Sequence, residues 1–279
     1  MVLEAKQAQL HSILKRYGRV AIAFSGGVDS ALVLKCALDT LGSGNVLALF
    51  AQSELQTSDE IEQAVQWPAN NGYARDVLLD IVQIQPLTWP EFVCNPEDRC
   101  YHCKRRLYQL FCERMDQRGY SFLLDGTNCD DLNSHRPGLR AIQQLEVRTP
   151  LVEASFDKAD VRALSRQLNL TTWNRPSASC LATRIPAGMP ISAQRLRTVA
   201  ILEEGLRRFG FVGCRVHLDR NNNETVQIVI QNNEFELFSD MGTRLAVLGF
   251  FQQHGIRTVL LNLAARGGDL MMVPRLETA

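Results

Sequence analysis

Residues 19–41 read RVAIAFSGGVDSALVLKCALDTL, and this stretch decides the fold. Residues 19–24 form a short apolar run, the mark of a buried strand, and residues 31–41 carry apolar side chains at helical period. Between them stands Ser25-Gly26-Gly27-Val28-Asp29-Ser30. Strand, glycine turn and helix in that order open a βαβ unit. The pattern then recurs. Residues 46–50 (VLALF) predict a second strand, and 58–71 a helix with Asp59 and Glu60 in its first turn, where the helix dipole favours acids. Residues 76–81 predict a third strand, 104–118 a helix, and 121–124 a fourth strand ending at Asp125. A helix over 158–168 takes Asp157 as its N-cap. Upstream, Leu10, Ile13 and Leu14 make residues 3–17 an amphipathic helix. The expectation is an α/β fold, a doubly wound parallel sheet covered on both faces, with ligands at the carboxyl ends of its strands.

Residues 176–190 (PSASCLATRIPAGMP) form a loop punctuated by prolines and a glycine. Beyond it the pattern changes. Residues 193–209 are helical, and 215–218 and 225–230 alternate apolar and polar around Asn221-Asn222-Asn223, which predicts a hairpin. A helix over 234–248 and a strand over 258–263 follow. Two domains are expected, the α/β domain at 1–190 and a smaller α+β domain at 191–279.

The chain has 279 residues, 46% hydrophobic and 22% charged, with 30 Lys plus Arg against 30 Asp plus Glu. A neutral balance argues against a nucleic-acid binder, because such binding draws on an excess of basic residues. No apolar run approaches the roughly 20 residues that span a bilayer, and the first residues lack an apolar signal core. A cytoplasmic location is therefore expected, with the eight cysteines held as thiols.

The chemistry concentrates in a few places. Gly26 and Gly27 let backbone approach an anion, and free N–H groups at a helix start favour phosphate. Ser25 and Ser30 add hydroxyl donors, and Asp29 is placed to hold Mg²⁺ or to orient the loop. The segment lacks the lysine of a Walker loop; it resembles the PP-loop of ATP pyrophosphatases, which split ATP into AMP and pyrophosphate. The plain alternative is a connecting turn. Ser53 and Glu54 follow the second strand, whose edge pairs with adenine in that superfamily. Asp125-Gly126-Thr127-Asn128, trailed by Asp130 and Asp131, follows the fourth strand. Such an acid-rich loop suits Mg²⁺, or else closes as an Asx-turn. Cys100 and Cys103, in the run CYHCKRR, have ligand-like spacing beside cations that lower thiol pKa. That pair has three readings: zinc, a redox disulfide, or part of an iron–sulfur site. Cys180, in the proline-rich loop, is the candidate third thiolate.

SGGVDS, DGTNCDD, RPGLRA at 136–141, DKADVRALS around Lys158 and ASCLATRIP occur in one order. Together they resemble the LarE family, the ATP-dependent sulfur transferases of nickel-pincer nucleotide biosynthesis, over nearly the whole chain. The resemblance implies ATP and Mg²⁺ as cofactors and a pyridinium-3,5-biscarboxylic acid mononucleotide as substrate. A carboxylate is adenylylated and sulfur displaces AMP. In one branch of the family the cysteine at the Cys180 position gives up its own sulfur. In the other, three cysteines hold a [4Fe-4S] cluster that relays sulfur from a sulfide donor. Cys100, Cys103 and Cys180 match the cluster branch. Lys104, Lys158 and Arg184 are candidate cations for the phosphates. Glu203 and Arg215 match positions lining the substrate site, with Arg215 a ligand of the nucleotide phosphate. His217 stands where some members have a second arginine, which puts the detail of that site in doubt. The family tends to form homo-oligomers through the smaller domain. Competing expectations are an amide-forming or tRNA-thiolating PP-loop enzyme, and a regulatory protein that only binds an adenine nucleotide.

Overall fold

In the computed structural model, residues 2–73, 77–132, 137–176 and 179–264 are described. They fall into two compact units, Met1–Ser179 and Cys180–Ala279.

The first unit is built on a parallel sheet. After α1 (Leu3–Tyr17) come β1 (Val20–Ala23), α2 (Val28–Leu41), β2 (Val46–Gln52), α3 (Ser58–Val65), the short α4 (Trp67–Asn70) and β3 (Leu78–Gln83). Then follow α5 (Pro90–Val93), α6 (Arg99–Gln117), β4 (Phe122–Leu124), α7 (Cys129–Leu132), α8 (Gly138–Gln144), α9 (Pro150–Glu153) and α10 (Lys158–Gln167). The strands lie in the order β3-β2-β1-β4, all parallel. β1 is buried along its whole length, as a central parallel strand covered on both faces must be. β3 is an edge strand and leaves Leu78 and Ile81 exposed. From β1 the chain winds outward to β3. It then returns through α6 to place β4 on the other side of β1. Crossovers of one hand running in opposite directions put their helices on opposite faces. α2 packs against α1 and α10, and α6 packs against α8. The order of strands reverses between β1 and β4, so the crevice beyond their carboxyl ends is the ligand position of such sheets.

Sequence expectations and observed elements differ in places for identifiable reasons. The helix expected over 58–71 breaks at Gln66. Pro68 lacks an N–H, and within a continuous helix its ring would clash with the carbonyl one turn back. The helix expected from Lys104 starts at Arg99, so Cys100 and Cys103 share its first turns. The helix expected over 234–248 is instead a 3-10 stretch, Asn232–Ser239, followed by an α-helix from Met241. The Asp240 carboxylate accepts from Thr243 N at 2.6 Å and caps a new helix start, which divides the run.

The second unit contains α11 (Ala193–Arg208), β5 (Arg215–Leu218), β6 (Thr225–Val229), α12 (Met241–Gln253) and β7 (Thr258–Leu261). β5 and β6 form the expected antiparallel hairpin, and β7 adds parallel to β6. Leu202, Leu206, Phe211, Val216, Ile228 and Phe251 fill its core. Residues from Cys180 onward belong to this unit. The 3-10 turn Leu181–Arg184 is tied to α11 by an ion pair between Arg184 and Glu203.

Candidate active site

β1 ends at Ala23, and residues 25–30 wrap its carboxyl end into the start of α2. Gly26 adopts φ +76°, and an added Cβ would stand 3.0 Å from the Ala64 Cβ of α3. Backbone conformation and packing both demand glycine there. Ser30 Oγ accepts from Ser25 N at 3.1 Å, lies 3.1 Å from Ser25 Oγ, and donates to Gly27 O at 3.3 Å. Ser25 Oγ accepts from Gly27 N at 3.3 Å. The hydroxyls thus hold the loop, and Ser25 faces solvent.

The loop after β4 lies directly against this turn. A Cβ on Gly126 would be 2.7 Å from Ser30 N, so only glycine permits the approach. Asn128 Nδ2 donates to Asp29 Oδ1 at 3.1 Å, and Lys158 Nζ meets Asp29 Oδ2 at 2.5 Å. Lys158 N donates to Asp130 Oδ2 at 2.9 Å. The start of α10 therefore joins the turns after β1 and β4. Its position is set by a capping box in which Asp157 accepts from Asp160 N at 2.8 Å and Asp160 accepts from Asp157 N at 3.2 Å.

Asp125 is buried behind these loops. Its carboxylate accepts from Thr127 N at 2.6 Å, from Thr127 Oγ1 and from Tyr108 OH, and lies 3.2 Å from Lys104 Nζ. Burial pushes this carboxyl up, but Lys104 and the hydrogen bonds from Thr127 and Tyr108 outweigh it and hold the group below the ordinary 3.8. Asp125 organises the loop in the manner of an Asx-turn, while Asp29 and Asp130 are the more open carboxylates. The Lys104 ammonium sits over the Tyr108 ring, 5.0 Å from its centroid. A Cβ on Gly138 would meet the Lys104 side chain at 3.1 Å, so the glycine of the RPGLRA run packs on this lysine. Arg136 of that run lies outside the described residues.

Ser53 follows β2 and is half-buried, its N–H donating to Gln56 Oε1 at 3.0 Å. Glu54 Oε1 accepts from Leu87 N at 3.4 Å. Cys100 is exposed and Cys103 half-exposed on α6, one turn apart; His102 between them pairs with Asp98 at 3.3 Å. Among the described residues, no three His, Cys, Asp or Glu side chains are grouped to hold a metal ion. Cys36 and Cys214 are buried, which pushes both thiols up to about 12.

In the second unit Cys180 is half-exposed. Its carbonyl accepts from Arg184 Nη1 at 3.2 Å and from Thr183 Oγ1 at 2.8 Å. The Arg184 guanidinium grips Glu203 through two bonds, Nε to Oε1 at 2.8 Å and Nη2 to Oε2 at 3.2 Å. Glu203 Oε1 also accepts from Val216 N at 3.0 Å. Both partners are almost fully buried, so Glu203 is neither an exposed helix residue nor an open ligand. The pair ties the cysteine loop to α11 and β5. His217 lies near Arg184 and Arg215, and burial followed by these two cations pushes its pKa down. Its lowered pKa favours a neutral ring, which leaves Arg215 as the charged side chain of β5.

One basic residue was missed by sequence reading. Arg175 reaches the turn at 25–30 and donates to Gly26 O at 3.3 Å. The sequence signal is thin, since Arg175 stands outside every periodic element, just before Pro176.

No family model matches the chain. It is 36% identical to a pyridinium-3,5-bisthiocarboxylic acid mononucleotide synthase of Lactiplantibacillus plantarum over 99% of this chain and 98% of the relative. It is 34% identical to the uncharacterised protein slr1717 of Synechocystis over 94% of this chain and 95% of that protein. It is also 27% identical to the uncharacterised protein MJ0830 of Methanocaldococcus jannaschii over 94% of this chain. Matched end to end in sequence by that synthase, and built on the α/β sheet its motifs predict, the chain belongs to the LarE family of pyridinium-3,5-bisthiocarboxylic acid mononucleotide synthases.

Proposed function

We propose that the protein is an ATP-dependent, AMP-forming sulfur transferase. It adenylylates the carboxylates of pyridinium-3,5-biscarboxylic acid mononucleotide and replaces carboxylate oxygen by sulfur; the name of the Lactiplantibacillus relative, a pyridinium-3,5-bisthiocarboxylic acid mononucleotide synthase, supports the thiocarboxylate product. The observation that carries the reading is the meeting of residues 25–30 with residues 125–130 beyond the adjacent ends of β1 and β4. A carboxylate oxygen is a poor leaving group. Attack of that oxygen on the α-phosphorus of ATP expels pyrophosphate with the bonding electron pair, and the oxygen later departs as part of AMP. Backbone N–H groups at the start of α2, with Ser25, Gly26, Gly27 and Ser30, are suited to hold the pyrophosphate, because fixed donors stabilise charge as it develops. Lys158 positions Asp29 and adds a cation, and Lys104 adds another. Mg²⁺ neutralises phosphate charge when bound, and Asp29 and Asp130 would hold it, since this ion accepts one or two carboxylates plus phosphate oxygens. Ser53 is assigned to the adenine edge.

Sulfur transfer is assigned to Cys180, braced by Arg184 and Glu203, with Arg215 toward the substrate phosphate. We include in the reading a [4Fe-4S] cluster on Cys100, Cys103 and Cys180, supplied by a sulfide donor. Support comes from the one-turn spacing of the first two and from the accessibility of all three. A cytoplasmic protein and a homo-oligomer formed through the second unit complete it. Exposed Met241, Leu245 and Leu248 on one side of α12 support the latter. No described helix is long and apolar enough to cross a membrane.

The test is anaerobic purification with iron and sulfide analysis, then incubation with ATP, Mg²⁺, substrate and sulfide. Thiocarboxylate and AMP are expected in wild type, while Cys180→Ala makes no thiocarboxylate yet still binds ATP. Thiocarboxylate formation by Cys180→Ala would refute the assignment. Iron lost in Cys100→Ala supports the cluster; no iron, with loss of sulfur mass at Cys180, replaces it by a sacrificial cysteine.

A further inference from the structure

Arg175 has an unusual setting for an arginine. It is half-buried, and among the described residues its side chain has one hydrogen bond, to Gly26 O at 3.3 Å. Among the described residues no carboxylate lies within ion-pair distance of it. Desolvation alone pushes its pKa below the ordinary arginine value. A guanidinium drawn out of water without a counterion is costly, so the fold must hold it there. It does so through Arg162 of α10, whose Nη1 donates to Trp173 O and Nη2 to Arg175 O, both at 2.8 Å. The Arg166 guanidinium stacks on the Trp173 ring, 5.1 Å from its centroid. Backbone on either side of the residue is thus pinned to the same helix whose first residue, Lys158, pairs with Asp29.

Asp29 is matched by Lys158, and among the described residues Arg175 adds a positive charge with no carboxylate partner. The turn itself presents backbone N–H groups, which also favour an anion.

We propose that Arg175 is a ligand of the nucleotide's phosphate chain: its guanidinium closes the 25–30 turn from outside and takes the β- or γ-phosphate, and then the released pyrophosphate, as its missing counterion. The planar fork of arginine suits two phosphate oxygens at once. This inference rests on the phosphate-binding reading of the turn.

The two can be separated by measuring thermal shifts with Mg²⁺ and inorganic pyrophosphate, and with Mg-ATP, on wild type, Arg175→Ala and Arg175→Lys. Wild type is expected to be stabilised by both. Arg175→Ala should bind pyrophosphate on the order of tenfold more weakly or worse, as expected for loss of a charged hydrogen bond. Arg175→Lys, which keeps the charge without the fork, should fall between. It is also the fallback if the alanine variant does not fold. If Arg175 only secures the Gly26 carbonyl, the variants melt lower without ligand yet bind pyrophosphate as wild type does. That result overturns the inference and leaves the turn's role standing. No stabilisation of wild type by either ligand overturns both.

Discussion

Gly126 shows how much one missing atom matters. Its Cβ position lies 2.7 Å from Ser30 N, inside any real contact distance, and the obstacle is backbone that cannot rotate away. Gly126→Ala must therefore part the two loops. Overpacking of this kind costs about 1–3 kcal/mol, to be read by urea denaturation. AMP formation should fall further than stability does if, as proposed, the separated loops are those that meet the nucleotide. Asp125 supplies a pH prediction. Its native pKa lies below the unfolded value near 3.8. The unfolded state therefore takes up a proton first as pH falls. The stabilisation from ionised Asp125 is complete above that value and is lost as pH drops below it. Asp125→Asn should be less stable at neutral pH, with a shallower loss on acidification below about 3.8. An equal acid slope in both proteins would refute this.

At the scale of elements, α10 links chemistry to packing. Val161 and Leu164 bury its inner face, while Lys158 at its first position pairs with Asp29. The Asp157–Asp160 capping box fixes where the helix begins. Asp157→Ala should cost about 1 kcal/mol of stability, as capping substitutions do. It should also weaken Mg-ATP binding, because the first turn that carries Lys158 then frays. A stability loss with unchanged ATP affinity would show that the cap serves the helix alone. α6 shows the limit of reading such elements from sequence. Periodic apolar positions Tyr108, Phe111 and Met115 mark its middle, but in its first turn buried Tyr101 stands alone among Arg99, Cys100 and His102, so the helix reads short.

At the scale of the whole molecule, the division into two compact units makes stability local. Glu203 is buried against Arg184 within the second unit, and removing one member of such a pair leaves a stranded charge. Glu203→Ala should destabilise the second unit by about 3–5 kcal/mol. The tryptophans provide a clean separation, because all 3, at positions 67, 89 and 173, lie in the first unit. Circular dichroism should record an early transition in Glu203→Ala while tryptophan fluorescence melts as in wild type. Coincident shifts in both signals would mean that the units unfold together.

The sequence alone determined the alternation of strands and helices, the turn at 25–30, the capped start of α10 and the hairpin at 215–229. Each is governed by neighbours within a few residues, through apolar period, glycine freedom and capping side chains. The family was legible too, because its motifs are contiguous. Only the tertiary structure decided what those residues touch. That Gly126 abuts Ser30, that Lys158 serves Asp29, and that Arg175 reaches Gly26 depends on contacts between residues some 96 to 149 positions apart in sequence. Glu203 stood out in the sequence only by its match to a family position, and nothing local marked it as the buried partner of Arg184. Local pattern carries no record of such pairings. They follow from the order in which β1 and β4 are laid side by side and from the packing of helices over them.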